Sequence, residues 1–134
     1  MIGDAKDPDW SEAEWRIVHY LRRTVGCRVS EGARNAANDR YYDFTLNDVE
    51  PADGKSPGIC ADSATMRNRA GESAKRGGQA RTLVFDVRDS MMTEAEARRG
   101  VARIRGLRGP TGQHGHRVDR VLVIGFGFYF EEVL

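Results

Sequence analysis

Cysteine and long apolar runs are both scarce in this chain of 134 residues. The two cysteines, Cys27 and Cys60, stand far apart, which argues against a disulfide framework or a Cys-x-x-Cys metal site, and we interpret them as free thiols. No apolar run approaches the roughly 20 residues that a membrane-spanning helix needs. The first nine residues are polar and lack the basic start and apolar stretch of a secretory signal. We therefore predict no membrane span and no signal peptide.

A surplus of charge of one sign is also missing, because the formal net charge is only +1. The charge is nevertheless unevenly distributed along the chain. Residues 1–62 hold 8 basic and 12 acidic residues, whereas residues 63–134 hold 13 basic and 8 acidic residues. An acidic half beside an arginine-rich half suits an enzyme that binds a metal with one half and a polyanion with the other. A solvated surface of mixed charge is the simpler explanation of the same numbers.

Charged residues make up 31% of the chain and hydrophobic residues 40%, which is a globular composition. The length fits one domain, so we expect a flexible leader over residues 1–9 and a single domain over residues 10–134.

Three segments have helical patterns. A capping box, Ser11-x-x-Glu14, begins a helix that ends at Gly26. Helix formers run from Ser63 to about residue 76. A second capping box, Thr93-x-x-Glu96, begins a helix that runs to about residue 105.

Strand patterns separate these helices. Residues 27–29 and 41–46 are predicted strands, residues 52–59 are a weak strand at best, and residues 82–87 and 121–124 are buried strands. Residues 126–130 either extend the last strand or form an edge strand, and residues 31–40 and 106–116 are loops. The order of elements predicts an α/β (α+β) fold, αβββαβ(α)β, with a mixed central sheet flanked by helices.

The candidate chemistry lies in Asp43 and the run Asp53-Gly54-Lys55. Residues i and i+2 of a strand point to the same face, so Asp53 and Lys55 project together, beside Asp43 on the neighbouring strand. Cleavage of a phosphodiester with a divalent cation needs two or three carboxylates to bind the ion. A nearby lysine orients the attacking water and stabilises the charge on phosphate. Taken alone, Asp53-Gly54 is also a favoured turn dipeptide.

Several motifs occur in an order that resembles the PD-(D/E)xK, restriction-endonuclease-like nucleases. The chain is most similar to the C-terminal toxin domains of contact-dependent growth inhibition and other polymorphic toxins, many of which are tRNA nucleases. The motifs that carry the resemblance are Glu14-x-x-Ile17-Val18-x-x-Leu21, Gly26-Cys27-Arg28-Val29, Tyr42-Asp43-Phe44, Lys55-Ser56-Pro57, Gln79-Ala80-x-x-Leu83-Val84-x-Asp86-Val87-Arg88 and Val118-Asp119-Arg120-Val121-Leu122-Val123-Ile124.

The resemblance implies a restriction-endonuclease-like fold and a metal-dependent endonuclease that cleaves RNA, with tRNA favoured over DNA. It implies that Asp43, Asp53 and Glu14 bind the metal, Mg²⁺ in the first place, with Mn²⁺ or Zn²⁺ as alternatives, and that Lys55 is the catalytic lysine. The family more often has Glu where Asp53 stands and an apolar residue where the following glycine stands. Glu50 is therefore the substitute for the second metal carboxylate. A tight-binding cognate immunity protein and action in the cytoplasm of a target cell are implied as well.

Substrate binding is assigned to other polar residues. The resemblance implies that Gln79 faces the substrate. The stretch from Arg98 to Arg108 contains no acidic residue and is a candidate footprint for a phosphate backbone, with a solvated helix face as the equal alternative. The arginines predicted to bind substrate are Arg67, Arg69, Arg98, Arg99 and Arg103.

Three other functions remain open. The first is a DNA endonuclease of the same fold. The second is an interaction or nucleic-acid-binding domain with a decayed site. The third is a metal-free ribonuclease that uses His114 or His116, although a histidine in a flexible loop is the simpler interpretation of both. The aromatic run Phe126, Phe128 and Phe130 is predicted to lie on one strand face, in the core or at a protein interface.

Overall fold

The computed structural model describes residues 9–35, 40–75, 80–107 and 118–134. In these ranges the α-helices are α1 (Glu12–Tyr20), α2 (Ser63–Lys75) and α3 (Glu94–Gly106). The strands are β1 (Val29–Glu31), β2 (Arg34–Asn35), β3 (Arg40–Tyr41), β4 (Phe44–Leu46), β5 (Glu50–Lys55), β6 (Thr82–Asp86), β7 (Arg120–Gly125) and β8 (Phe128–Val133).

Six of the strands form one mixed sheet in the order β1-β4-β5-β6-β7-β8, and β2 and β3 form a separate antiparallel pair. The three central strands β5, β6 and β7 are parallel, while β1, β4 and β8 pair antiparallel with their neighbours. Helices α2 and α3 make the two crossovers between the parallel strands, as parallel pairing requires. The predicted fold class, a mixed central sheet flanked by helices, is confirmed.

Apolar residues cover both faces of the sheet. On one face, α1 and the turn that follows it pack Ile17 and Leu21 against Phe44, Val84 and Leu122. On the other face, α2 and α3 pack their apolar stripes against alternate residues of β6 and β7. Strand β6 is buried along its whole length, which explains why its three central residues (83–85) are all apolar. In the part of the chain that the structure describes, no helix is long and apolar enough to cross a membrane.

Helix α1 begins as its capping box predicts. The Ser11 side chain accepts from the Glu14 amide, and the Glu14 carboxylate accepts from the Ser11 amide at 2.8 Å. A π-helical turn over Leu21–Val25 continues the helix to Gly26, whose φ of 79° lies in the left-handed region that favours glycine. This prediction is confirmed at both ends.

Helix α3 has only half of its predicted capping box. The Thr93 side chain accepts from the Glu96 amide, but the Glu96 carboxylate accepts from the backbone amide of Ser63 instead of returning to Thr93. The second half of the prediction is wrong because the first turn of α2 competes for the carboxylate. Glu96 thereby joins the starts of α2 and α3.

Several strand boundaries differ from the predictions. Strand β1 begins at Val29 and not at residue 27, β4 begins only at Phe44, and residues 31–40 include strand residues in place of a continuous loop. The largest correction concerns the weak strand predicted over residues 52–59, because β5 is a full strand in the middle of the sheet that spans Glu50–Lys55 and leaves out residues 56–59. Pro51 is tolerated there because parallel pairing with β6 starts only at Ala52.

The C-terminal aromatic residues do not all share one environment. Strand β8 is an edge strand paired with β7, and Phe130 is buried on it, with its ring 6.1 Å from that of Phe128. Phe126 lies in the preceding turn and is 67% exposed, so its predicted place on the strand face is wrong.

Candidate active site

Asp43 and Asp53 meet where β4 begins. The antiparallel register pairs Phe44 with Ala52, so the next pair outward is Asp43 and Asp53. The amide of Asp43 donates to Oδ1 of Asp53 at 3.1 Å, and the amide of Gly54 donates to Oδ2 of Asp43 at 2.9 Å. Each carboxylate is thus held by a backbone amide of the opposite strand.

The environment opposes ionisation of both carboxylates. Burial raises the pKa of Asp43 to about 7; the Gly54 amide partly offsets this, and the negative charges of Asp53 and Glu14 add to it. Burial also raises the pKa of Asp53, while the Asp43 amide and the positive charge of Lys55 partly offset the increase. Perturbed carboxylates of this kind are common at catalytic and metal sites.

One oxygen of this pair lacks a partner in the part of the chain that the structure describes. Asp53 is only 3% exposed, and its Oδ2 has no hydrogen-bond partner there. Leaving a buried carboxylate oxygen without a donor costs folding free energy, so such an atom needs an explanation. A bound cation would satisfy this oxygen.

Glu14 reaches the same site from α1. One of its oxygens completes the capping box, and the negative charge of the carboxylate raises the pKa of both Asp43 and Asp53. Glu14 therefore caps α1 and also acts on the two aspartates, so the two roles do not exclude each other.

Lys55 stands two residues after Asp53 on β5, and the two residues share a face of the sheet, as predicted. Its positive charge acts on Asp53. Lys55 is half-buried at the carboxyl end of β5, where the chain leaves the sheet. The structure thus brings Glu14, Asp43, Asp53 and Lys55 together.

Gly54 has a packing reason to be glycine. A Cβ atom at this position would lie 2.9 Å from Cδ1 of Ile17 and 2.9 Å from Cε2 of Phe44. The space that an apolar residue would need beside the site is already filled by these two side chains.

Glu50 does not join this group. It lies at the opposite end of β5, where its carboxylate accepts from the hydroxyl of Thr82 at 2.6 Å and from the guanidinium of Arg120. Its two oxygens are engaged in a structural network, so the structure corrects the prediction of Glu50 as a substitute metal ligand.

The donor set fits a hard divalent cation. Within residues 9–35, 40–75, 80–107 and 118–134, no group of three or more His, Cys, Asp or Glu residues is arranged to hold a metal ion. Mg²⁺, however, is commonly bound through one or two carboxylates plus water and substrate phosphate. Asp43 and Asp53 supply two carboxylates, and the unpartnered Oδ2 of Asp53 suits such an ion.

The arginines predicted to bind substrate have mixed surroundings. Arg98 bonds to Glu94 and to Glu132 and lies 4.1 Å from the ring centroid of Phe130, so its charge is largely neutralised. Arg99 pairs with Glu96 at 3.3 Å.

The other three arginines predicted to bind substrate are exposed: Arg67 and Arg69 on α2, and Arg103 on α3. The positive charge of Arg103 contributes to lowering the pKa of Asp62. Gln79, Arg108, His114 and His116 lie outside the described residues.

The sequence analysis assigned no role to Trp10, which contacts the site, or to Arg88, which joins β6 to α1. The indole of Trp10 donates to the backbone carbonyl of Asp43 at 2.9 Å. Arg88 binds both oxygens of buried Asp86 and also donates to the carbonyl of Arg16 in α1 at 3.2 Å. The spacing Asp86-x-Arg88 is a weak local signal for such a pair, and Trp10 offered none, because its partner is 33 residues away.

Comparison with known proteins supports the fold. No protein-family model matches the chain, and no curated protein matches it. The structure is similar to a chain of the CdiA-CT/CdiI toxin and immunity complex from Burkholderia pseudomallei, with a TM-score of 0.56 and 20% sequence identity. The similarity covers 97% of this chain and 95% of that chain. At this level of identity the likeness shows the fold alone.

Proposed function

We propose that this protein is the nuclease toxin of a toxin and immunity pair, and that it cleaves RNA with the help of a divalent cation. The observation that carries the proposal is the contact between half-buried Asp43 and buried Asp53, with Lys55 on the same strand face as Asp53. One oxygen of Asp53 has no hydrogen-bond partner among the described residues. Two carboxylates and a lysine that converge at one end of a sheet's strands are what metal-assisted phosphodiester cleavage needs.

Asp43, Asp53 and Glu14 are the residues that would hold the cation, Mg²⁺ by preference, with Mn²⁺ or Zn²⁺ as alternatives. Such an ion, when bound, makes water a nucleophile and neutralises charge on phosphate. Lys55 would donate a hydrogen bond to the attacking water or to a phosphate oxygen, and its positive charge would stabilise the charge that develops there. The amides of Asp43 and Gly54 would hold the two carboxylates in place during the reaction through the hydrogen bonds that they donate.

Exposed arginines supply the affinity for a polyanion in this proposal. Arg67, Arg69 and Arg103 would contact the phosphate backbone, and such contacts make binding weaker at higher salt. RNA, and tRNA in particular, is preferred over DNA only because of the motif resemblance to tRNA nuclease toxins.

The similar solved structure is a toxin and immunity complex, so an immunity role is the competing proposal. An immunity protein acts by binding and needs no catalytic site. Two repelling carboxylates, one buried and one half-buried, would lower the stability of such a protein without serving its function. The site therefore favours the toxin, with an immunity protein as its partner.

The test is incubation of the purified protein with total tRNA and with plasmid DNA, each with Mg²⁺ and with a chelator. We expect cleavage of tRNA that requires Mg²⁺. Cleavage of plasmid DNA alone would show a DNA endonuclease of the same fold. Full activity in chelator would contradict the metal mechanism. Absence of any cleavage, together with tight binding to a nuclease encoded beside this chain, would favour the immunity role.

A further inference from the structure

The backbone carbonyl of Asp43 is held from two sides. It accepts the indole Nε1–H of Trp10 at 2.9 Å and the backbone N–H of Gly32 at 3.1 Å. Trp10 lies immediately before Ser11, the N-cap residue of α1, and therefore only four residues before Glu14. One side chain thus links the start of the helix that carries Glu14 to the backbone of Asp43.

The ring of Trp10 is itself well fixed. It packs edge-on against Trp15 at 4.7 Å and against Phe44 at 5.8 Å between ring centroids. The guanidinium of Arg22 lies 5.7 Å from the centroid of the Trp10 ring and 5.9 Å from that of Trp15. Trp10 therefore contacts α1, the turn that follows α1, and the residue next to Asp43 in sequence.

The hydrogen bond from Trp10 stabilises the backbone of Asp43 at a place where charges repel. The carboxylates of Glu14, Asp43 and Asp53 repel one another, and burial strengthens the repulsion by excluding water. The hydrogen bonds inside the pair involve one carboxylate and one amide each, so a small displacement of the Asp43 backbone would break them. The indole bond opposes that displacement without adding a charge.

We propose that Trp10 is a positioning residue, which holds Asp43 in register with Asp53 and beside Glu14 through its bond to the Asp43 carbonyl. This inference rests on the proposed function for its catalytic meaning, but its structural content can be measured separately. Trp15 offers a matched control: it is a second tryptophan of the same cluster, and no hydrogen bond from its indole is found among the described residues.

The first measurement is amide hydrogen exchange by NMR in chelator, at the N–H groups of Asp43 and Gly54. Trp10→Phe keeps an aromatic ring but removes the donor. We expect exchange at both amides to become about three- to tenfold faster than in the wild type, the range that loss of one hydrogen bond corresponds to. Trp15→Phe should leave both rates within twofold. Unchanged exchange at both amides in Trp10→Phe would overturn the inference.

The second measurement separates positioning from general stability. In Trp10→Phe we expect kcat for RNA cleavage to fall about tenfold or more with KM unchanged, because the binding arginines lie elsewhere. If Trp10→Phe does not fold, benzothienylalanine at position 10 keeps the shape of the indole without its N–H and takes its place in both measurements. If the wild-type protein cleaves no nucleic acid, the proposed function fails, whereas the exchange rates still decide whether Trp10 positions Asp43.

Discussion

The amide of Asp43 donates to the carboxylate of Asp53, so two acidic side chains lie together in a place where burial raises the pKa of each. Like charges with raised pKa values cost stability in the metal-free protein. This destabilising pair lies at one end of the interior strands β4 and β5.

Stability of the metal-free protein should fall as pH rises. The folded-state pKa of Asp43 is about 7 and its ordinary value is 3.8, so the folded state binds the proton more tightly than the unfolded state. The resulting stabilisation is complete below about pH 4 and is lost as pH rises through 7. After allowance for solvent screening we expect about 1–2 kcal/mol from this group. Thermal unfolding in chelator at pH 5 and pH 8 measures the difference.

The matched variant for that experiment is Asp43→Asn, which cannot ionise but whose side-chain oxygen can still accept from the Gly54 amide. It should be more stable than the wild type at pH 8 and similar at pH 4. A wild-type protein that gains stability over Asp43→Asn as pH rises would have the opposite sign and would contradict the assigned shift.

Gly54→Ala should destabilise the protein by about 1–3 kcal/mol, because the new methyl group meets Ile17 and Phe44 at 2.9 Å. Urea unfolding measures this change. Ile17→Val removes the Cδ1 atom and should recover part of the loss in the double variant. Gly106→Ala is the control, since none of the described residues outside its own helix comes within 4 Å of a Cβ there, and it should change stability by less than about 0.5 kcal/mol. Additive effects of Gly54→Ala and Ile17→Val would show that the contact is not the cause.

The network around Arg120 should matter for stability more than the surface ion pairs do. Its guanidinium bonds to Glu50 and, at 2.6 Å, to Glu131, whose other oxygen accepts from the hydroxyl of Tyr129 at 2.8 Å. Arg120→Ala removes the cationic partner of half-buried Glu50 and of the more exposed Glu131, and we expect a loss of about 1.5–3 kcal/mol in urea unfolding, the range for hydrogen bonds to charged groups.

The control for Arg120 is Arg28→Ala. Arg28 pairs with Asp48, but both side chains are about 70% exposed, so the loss should stay below about 1 kcal/mol. Equal losses for the two variants would mean that burial of the Arg120 network contributes nothing.

Local patterns predicted part of this fold well. The helix from Ser11 to Gly26 was predictable because the bonds at its two ends are local, Ser11 with Glu14 at the start and Gly26 with Leu21 at the end. The buried strand β6 was predictable because both of its faces are covered and its central residues are apolar. The pairing of Asp53 with Lys55 on one face followed from strand periodicity alone.

What depends on distant residues was not predictable. Strand β5 was underestimated because Gly54, Pro57 and Gly58 are poor strand formers, and only pairing with β4 and β6 on either side makes it central. The basic stretch on α3 contained no acidic residue, yet Arg98 and Arg105 meet Glu132 of β8, at separations of 34 and 27 residues. Contacts of this length have no periodicity to reveal them.

The most direct test of the central claim is single-turnover cleavage of tRNA with Mg²⁺ by the wild type, Asp53→Asn and Lys55→Ala, with Asp48→Asn as the matched control. Asp48 is an exposed carboxylate paired with Arg28, in the turn between β4 and β5, at the opposite end of these strands from Asp43 and Asp53. We predict that Asp53→Asn and Lys55→Ala lose at least about a hundredfold in rate, which corresponds to about 2.7 kcal/mol of transition-state stabilisation, while Asp48→Asn cleaves like the wild type. Cleavage at the wild-type rate by Asp53→Asn and Lys55→Ala would contradict the assignment of the Asp43 and Asp53 pair as the catalytic centre.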